Sequence, residues 1–175
     1  LLLAAGANDL ILLDSQGIIY SGRKNLPPLK SKIALTTNKK KIKGGLIEAM
    51  AEADVFIGVS QGNLVTAEMI KSMTPKPIIF AMANPIPEIM PDLAIKAGAG
   101  LVGTGRSDFP NQINNALVFP GIFRGLLDNQ VKQVTTEIKI KAALALSGVI
   151  KPSKNQILPL VTDERAVKAI ARAVK

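Results

Sequence analysis

The sequence predicts an α/β chain, a doubly wound parallel sheet with a helical C-terminal tail, and three observations carry that prediction. Four short apolar runs each stop at turn residues, which is how strands buried in a parallel sheet read. Stretches with helix-start signals separate those runs, and alternating strands and helices make parallel sheets. After Asn111 the alternation gives way to helical stretches only.

In chain order, Leu1 to Gly6 reads as the end of a helix with Gly6 as its C-cap. The first strand of the sheet and its glycine fingerprint are then expected upstream of Leu1. Leu10-Ile11-Leu12-Leu13 is the first apolar run here, stopping at Asp14-Ser15-Gln16-Gly17. Helices are expected over residues 28–37 and 46–53, the second with Leu46, Met50 and Ala53 on one face. Val55-Phe56-Ile57-Gly58-Val59 is the next strand, ending at Ser60-Gln61-Gly62-Asn63. Thr66 is an N-cap residue with an early Glu68, opening a helix to Met73. Ile78-Ile79-Phe80-Ala81-Met82 is a strand ending near Asn84-Pro85, and Pro91 suits the first position of a helix over 91–97. Leu101-Val102-Gly103-Thr104 is the last strand, ending at Gly105-Arg106-Ser107-Asp108. Residues 114–129, 135–149 and 163–175 read as helices, with a loop at 150–155. The expected organisation is a sheet-bearing part over 1–130 and a helical extension of the same domain over 131–175.

Composition narrows the function. Of 175 residues, 47% are hydrophobic but only 3% aromatic, so aliphatic side chains and Met must fill the core. No run approaches the roughly 18 apolar residues of a membrane span, so no membrane partner is expected. Histidine and cysteine are absent, which excludes Ser-His-Asp and zinc–histidine sites, disulfides and thiolate chemistry. A cytoplasmic setting fits. Acid–base work falls to Lys, Tyr, Asp or Glu, or to residues outside the chain. The net charge of +9 is concentrated: between Ser15 and Ile47 there is no acid, while Arg23, Lys24, Lys30, Lys32, Lys39, Lys40, Lys41 and Lys43 are basic. Such a segment is either a solvated face or a site for a phosphate-bearing partner. Without aromatic stacking platforms or a docking motif, nucleic acid is not the expected partner.

Ligands of open α/β sheets bind beyond the carboxyl ends of the strands. Asp14 at such an end can accept hydrogen bonds from both hydroxyls of an adenosine ribose, or serve only as a turn residue. Gly98-Ala99-Gly100-Leu101-Val102-Gly103 spells G-x-G-x-x-G. It leaves a helix and enters a strand, the reverse of a phosphate cradle, and reads as a decoy. Arg106, Ser107, Asp108, Asn111, Gln112, Asn114 and Asn115 crowd one strand end and helix start. Amide donors there suit a carboxylate, but capping and loop bonds would use the same residues.

Four strings carry a resemblance. Phe56-Ile57-Gly58-Val59-Ser60 is the first, and the second runs from Ile79 through Asn84-Pro85-Ile86-Pro87-Glu88 to Ile89. The third is Thr104-Gly105-Arg106-Ser107-Asp108-Phe109-Pro110-Asn111-Gln112-Ile113-Asn114-Asn115, and the fourth is Phe119-Pro120-Gly121-Ile122-Phe123-Arg124-Gly125. Together they resemble the NAD(P)-binding, Rossmann-like domain of bacterial-type malic enzymes, with the third string the most specific. The resemblance implies oxidative decarboxylation of malate to pyruvate and CO2, with NAD or NADP and a divalent metal, Mg or Mn, in a homo-oligomer. It places Asp14 as the ribose-binding acid, and Val59 and Ser60 in the cofactor cleft. Asn84 borders cofactor and substrate, and Asn84 and Asn115 hold malate with Asn114 beside them. Arg106 and Asp108 belong to the motif without an assigned role. The family's catalytic Tyr and Lys, and its metal-binding acids, belong to an N-terminal region that these strings do not include. Tyr20, the only tyrosine, follows the first apolar run and does not match. The resemblance therefore implies no catalytic residue and no metal ligand here, and a fragment inactive alone. The alternatives are a domain of another small-substrate dehydrogenase, or a nucleotide-binding remnant without catalysis. Asp14 favours NAD, while Arg23, Lys24 and the lysines beyond could attract the extra phosphate of NADP.

Overall fold

A computed structural model describes all residues, 1–175. The chain begins with an antiparallel hairpin of β1 (Leu13–Asp14) and β2 (Gly17–Ile18), followed by α1 (Pro28–Ala34) and α2 (Leu46–Met50). Next come β3 (Val55–Gly58), α3 (Ala67–Lys71), β4 (Ile78–Ala81), α4 (Pro91–Lys96) and β5 (Leu101–Thr104). A 3-10 turn (Asn115–Leu117) leads to α5 (Phe119–Asp128), α6 (Thr136–Ser147) and α7 (Glu164–Ala173).

The central feature is a three-stranded parallel sheet in the order β3-β4-β5. Parallel neighbours need a crossover, which α3 supplies between β3 and β4, and α4 between β4 and β5. Local signals start these helices. Thr66 Oγ1 accepts from the Met69 N–H at 3.3 Å, and Pro91 occupies the first turn of α4, where a missing N–H costs nothing. Met50, Val65, Ile70, Met73, Ile79, Ala81, Ile89, Ala94 and Val102 form the core around the sheet. A second core joins the last three helices through Leu117, Ile138, Ala142, Leu146, Ala166, Ile170 and Val174.

Some expectations need correction. The run Leu10–Leu13 is not a buried strand of the parallel sheet. Only Leu13 pairs as strand, antiparallel to Ile18, and the carbonyls of Leu10 and Leu12 accept from the N–H groups of Asn38 and Ile19. The hairpin β1-β2 and the sheet β3-β4-β5 share no strand pairing, so the ladder does not continue across. For the same reason β3 is an edge, and Val55, Ile57 and Val59 are exposed rather than buried. The helix expected over 46–53 stops at Met50, where Ala51 turns extended and Glu52 takes a left-handed φ of 59°. The helix expected over 114–129 is divided into the 3-10 turn and α5, which begins at Phe119 with Pro120 in its first turn.

Candidate functional site

The register of the sheet sets the site. Gly58 pairs with Ala81, and Ala81 with Thr104, so the three carboxyl ends finish level. The loops that follow lie side by side, and hydrogen bonds join them. Glu88 is fully buried. Its Oε1 accepts from the Ser60 N–H at 3.1 Å and its Oε2 from the Ala83 N–H at 3.0 Å. Arg106 makes the next link, donating from Nη1 to the Pro85 carbonyl at 3.1 Å. It also forks onto Asp108, with Nε to Oδ1 at 2.8 Å and Nη2 to Oδ2 at 2.6 Å. That guanidinium holds the Asp108 carboxyl below its ordinary value, and it lies over the Phe109 ring at 5.2 Å. Three strand ends thus become one surface.

Val59, Ser60 and Asn84 are exposed on this surface. The Asn84–Pro85 peptide is cis. The polar string after β5 divides by role. Asn111 is buried, and its Nδ2 donates to Val102 O at 2.9 Å and to Lys154 O at 2.7 Å. Its Oδ1 accepts from the Ile157 N–H at 3.1 Å, so this amide ties the 153–157 loop to β5. Asn114 caps the 3-10 turn, with Oδ1 accepting from the Ala116 N–H at 2.9 Å. Asn115 is exposed, and its side chain bonds to nothing within the chain. Gln112 bridges the end of β5 through backbone pairing with Thr104. Beside Asn114 and Asn115 lies a groove of about 530 Å³ lined by Ile113, Phe119, Ile122 and Phe123.

Asp14 stands apart from that sheet, on the hairpin. Arg23 Nη2 reaches both its carboxylate oxygens, at 2.8 and 2.7 Å, and Lys30 donates to Oδ2. The Gln16 N–H fills another position on Oδ1 at 3.0 Å. Arg23, and after it Lys30, hold the Asp14 carboxyl far below the usual carboxylate range. Arg23 is itself held, its Nη1 donating to the carbonyls of Gly17 and Ile18 at 3.0 Å each. Of the cations expected to attract a phosphate, Arg23, Lys24 and the lysines beyond, Arg23 is therefore committed to the hairpin, and Lys30, one of those lysines, is the second cation at Asp14. The decoy glycines sit as read: Gly98 leaves α4 with a φ of +110°, and the segment runs into β5. No group of three or more Asp or Glu side chains stands close enough to hold a metal ion.

The sequence profile described as the malic enzyme NAD-binding domain matches residues 3–175. The chain belongs to that family. It is 48% identical over 173 residues to the bifunctional malic/malolactic enzyme of Bacillus subtilis (strain 168), covering 97% of this chain and 42% of that protein. It is 43% identical over 177 residues to the NAD-dependent malic enzyme of Geobacillus stearothermophilus, covering 99% and 37%. The crystal structure of the NAD-dependent malic enzyme from Thermotoga maritima superposes with a TM-score of 0.93 at 40% identity, over 99% of this chain and 46% of that one. The chain thus spans less than half the length of these malic enzymes, and the Rossmann-type architecture is that of their NAD-binding domain.

Within the malic enzyme frame, Glu88 is the residue that sequence reasoning missed. Its signal was present: a lone acid among apolar neighbours, Pro85-Ile86-Pro87-Glu88-Ile89-Met90. Charged residues are almost never fully buried without partners, so an acid in that setting points to backbone donors waiting in the fold.

Proposed function

We propose that this chain is the dinucleotide-holding part of an enzyme that oxidises and decarboxylates malate to pyruvate, with NAD or NADP as hydride acceptor. The level strand ends fit such a cofactor, since dinucleotides lie across the carboxyl edge of a parallel sheet. A dinucleotide held there would supply the hydride acceptor for the oxidation of malate. Val59 and Ser60 border it on the β3 side and Asn84 on the β4 side. Asp14 receives the adenosine ribose. Asn84 and Asn115 donate amide N–H groups to malate oxygens, with Asn114 next to them and Asn84 touching the cofactor as well.

One observation carries the substrate assignment. Asn84 and Asn115 are exposed and make no side-chain hydrogen bond within the chain, Asn114 spends only its Oδ1 on the 3-10 turn and keeps its NH2 group free, and Asn111 alone is used up in holding the fold. Metal ions do not fit this chain's own residues. Acid–base groups and metal ligands accordingly belong to other parts of the enzyme in this reading, as does assembly into a homo-oligomer in the cytoplasm.

Alanine at Asn84 or Asn115, in the full polypeptide, should raise the malate KM or lower kcat. Losing one such contact costs about 1–3 kcal/mol, roughly tenfold or more in kcat/KM. Cofactor affinity should stay nearly constant in the Asn115 variant, whose side chain does not border the cofactor. Collapse of cofactor binding with malate kinetics intact would sink the assignment.

A further inference from the structure

Glu88 offers two oxygens to two loops and nothing else. Oε1 accepts from Ser60, which follows β3, and Oε2 from Ala83, the residue before Asn84. No Lys or Arg lies within ion-pair distance of it. Its surroundings are shaped to it: a methyl group added at Gly58 would overlap the Glu88 carboxyl group. The backbone continues the same seam, with the Asn63 N–H donating to Pro87 O at 3.0 Å and the Val65 N–H to Glu88 O at 2.9 Å.

We infer that Glu88 is a positioning residue, whose carboxyl fixes the Ser60 loop and the Asn84 loop against each other so that cofactor and substrate are held in register. This inference rests on the reading of those two loops as the cofactor- and malate-bearing ones. Each oxygen serves one loop, so the carboxyl transmits position between them. A buried N–H that loses its acceptor costs a full desolvation penalty, and the loop relieves it by moving toward water. Glutamine retains the length and volume but has only one acceptor oxygen. Its NH2 group would face a backbone N–H, donor against donor. Aspartate retains two acceptors but is one methylene too short to reach both.

The signature is joint loss. In the full polypeptide, Glu88→Gln should raise the dissociation constants of NAD and NADP and the malate KM together, each by roughly tenfold. Asn115→Ala moves the malate constant alone. Gly125→Ala, which strains the distant α5–α7 contact, serves as the stability control. At a matched loss of Tm it should leave the cofactor constants unchanged. A folded Glu88→Gln protein with wild-type constants would overturn the inference, as would constants that rise equally in the Gly125→Ala control. Amide hydrogen exchange of the wild-type protein provides a test independent of any variant folding. The Ser60 and Ala83 amides should show one common protection factor, each rate taken relative to its intrinsic rate, and gain protection together on addition of NAD. Different protection factors for the two would count against coupling through Glu88. If the wild-type protein binds neither dinucleotide, the reading of the loops fails, and the common protection factor still decides whether Glu88 couples them.

Discussion

At the scale of single residues, Asp14 shows how a site residue acquires its properties from neighbours. Its carboxylate has about four acceptor positions, and Arg23, Lys30 and the Gln16 N–H occupy them. A ribose hydroxyl bonding there would have to displace one donor, and Lys30, the more exposed cation at 38% against 10% for Arg23, is the one that can leave. The carboxylate also engages two cations that would otherwise be free to attract a ribose phosphate, and offsets one of their two charges. Asp14→Ser should therefore shift the ratio of kcat/KM for NAD and NADP toward NADP in the full polypeptide; an unchanged ratio would make Asp14 only a hairpin residue. The same ion cluster makes stability depend on pH. Arg23 and Lys30 depress the folded value of Asp14, whereas a free Asp titrates near 3.9. The stabilisation is complete above about pH 5, declines as pH falls below the unfolded value, and is gone once the depressed folded value is passed. Asp14→Asn should lower Tm at neutral pH and flatten the fall of Tm between about pH 5 and 3. A variant with the wild-type acid slope would show that the pair contributes nothing.

At the scale of elements, the second core depends on how closely two helices approach. Added methyl groups at Gly121 and Gly125 on α5 would press on Ile170 and Val174, at 2.7 and 2.6 Å from their Cβ atoms. Neither contact is with the far end of a flexible side chain, so the helices themselves would have to part. Gly125→Ala should cost about 1–3 kcal/mol, as overpacking does, read as a fall in the urea midpoint at unchanged m-value. A midpoint equal to wild type would mean that α7 yields freely. Glycine here was legible in Phe119-Pro120-Gly121-Ile122-Phe123-Arg124-Gly125 only as part of a motif. Its reason is the backbone of α7, which is distant in sequence.

At the scale of the whole chain, the acid–base groups and the metal ligands lie, in the proposed function, outside these 175 residues. The only tyrosine, Tyr20, follows β2 of the hairpin, with Lys43 Nζ 5.2 Å from its ring centroid. No acidic cluster holds a metal. The 175-residue chain assayed alone with malate, Mn²⁺ and either dinucleotide should show no decarboxylation. Turnover near 10 s⁻¹, an ordinary enzyme rate, would place the catalytic groups within it after all. No helix is long and apolar enough to cross a membrane.

Local rules were enough for much of this protein. Apolar runs bounded by turn residues located β3, β4 and β5; burial on a parallel sheet demands such a run of β4 and β5, while β3, at the edge, carries the same pattern with Val55 and Ile57 exposed. Thr66, Pro91 and Thr135 marked helix starts within a residue or so, since capping acts over a single turn. Order along the chain separated the Gly98–Gly103 letters from a true phosphate cradle, because direction of entry decides which helix end faces the ligand. The strings at Asn84 and Arg106–Asn115 carried the family. Tertiary structure decided what depends on partners far apart in sequence. The Leu10 run has the composition of a sheet strand, yet strand identity requires a neighbour to bond, and β3 has none on that side. Which asparagines remain free, Asn84 and Asn115, which is consumed, Asn111, and which keeps only its NH2 group, Asn114, depends on where residues 102, 116, 154 and 157 come to lie. Glu88 takes its role from Ser60, 28 residues earlier, because a buried carboxyl is defined by the N–H groups the fold brings to it.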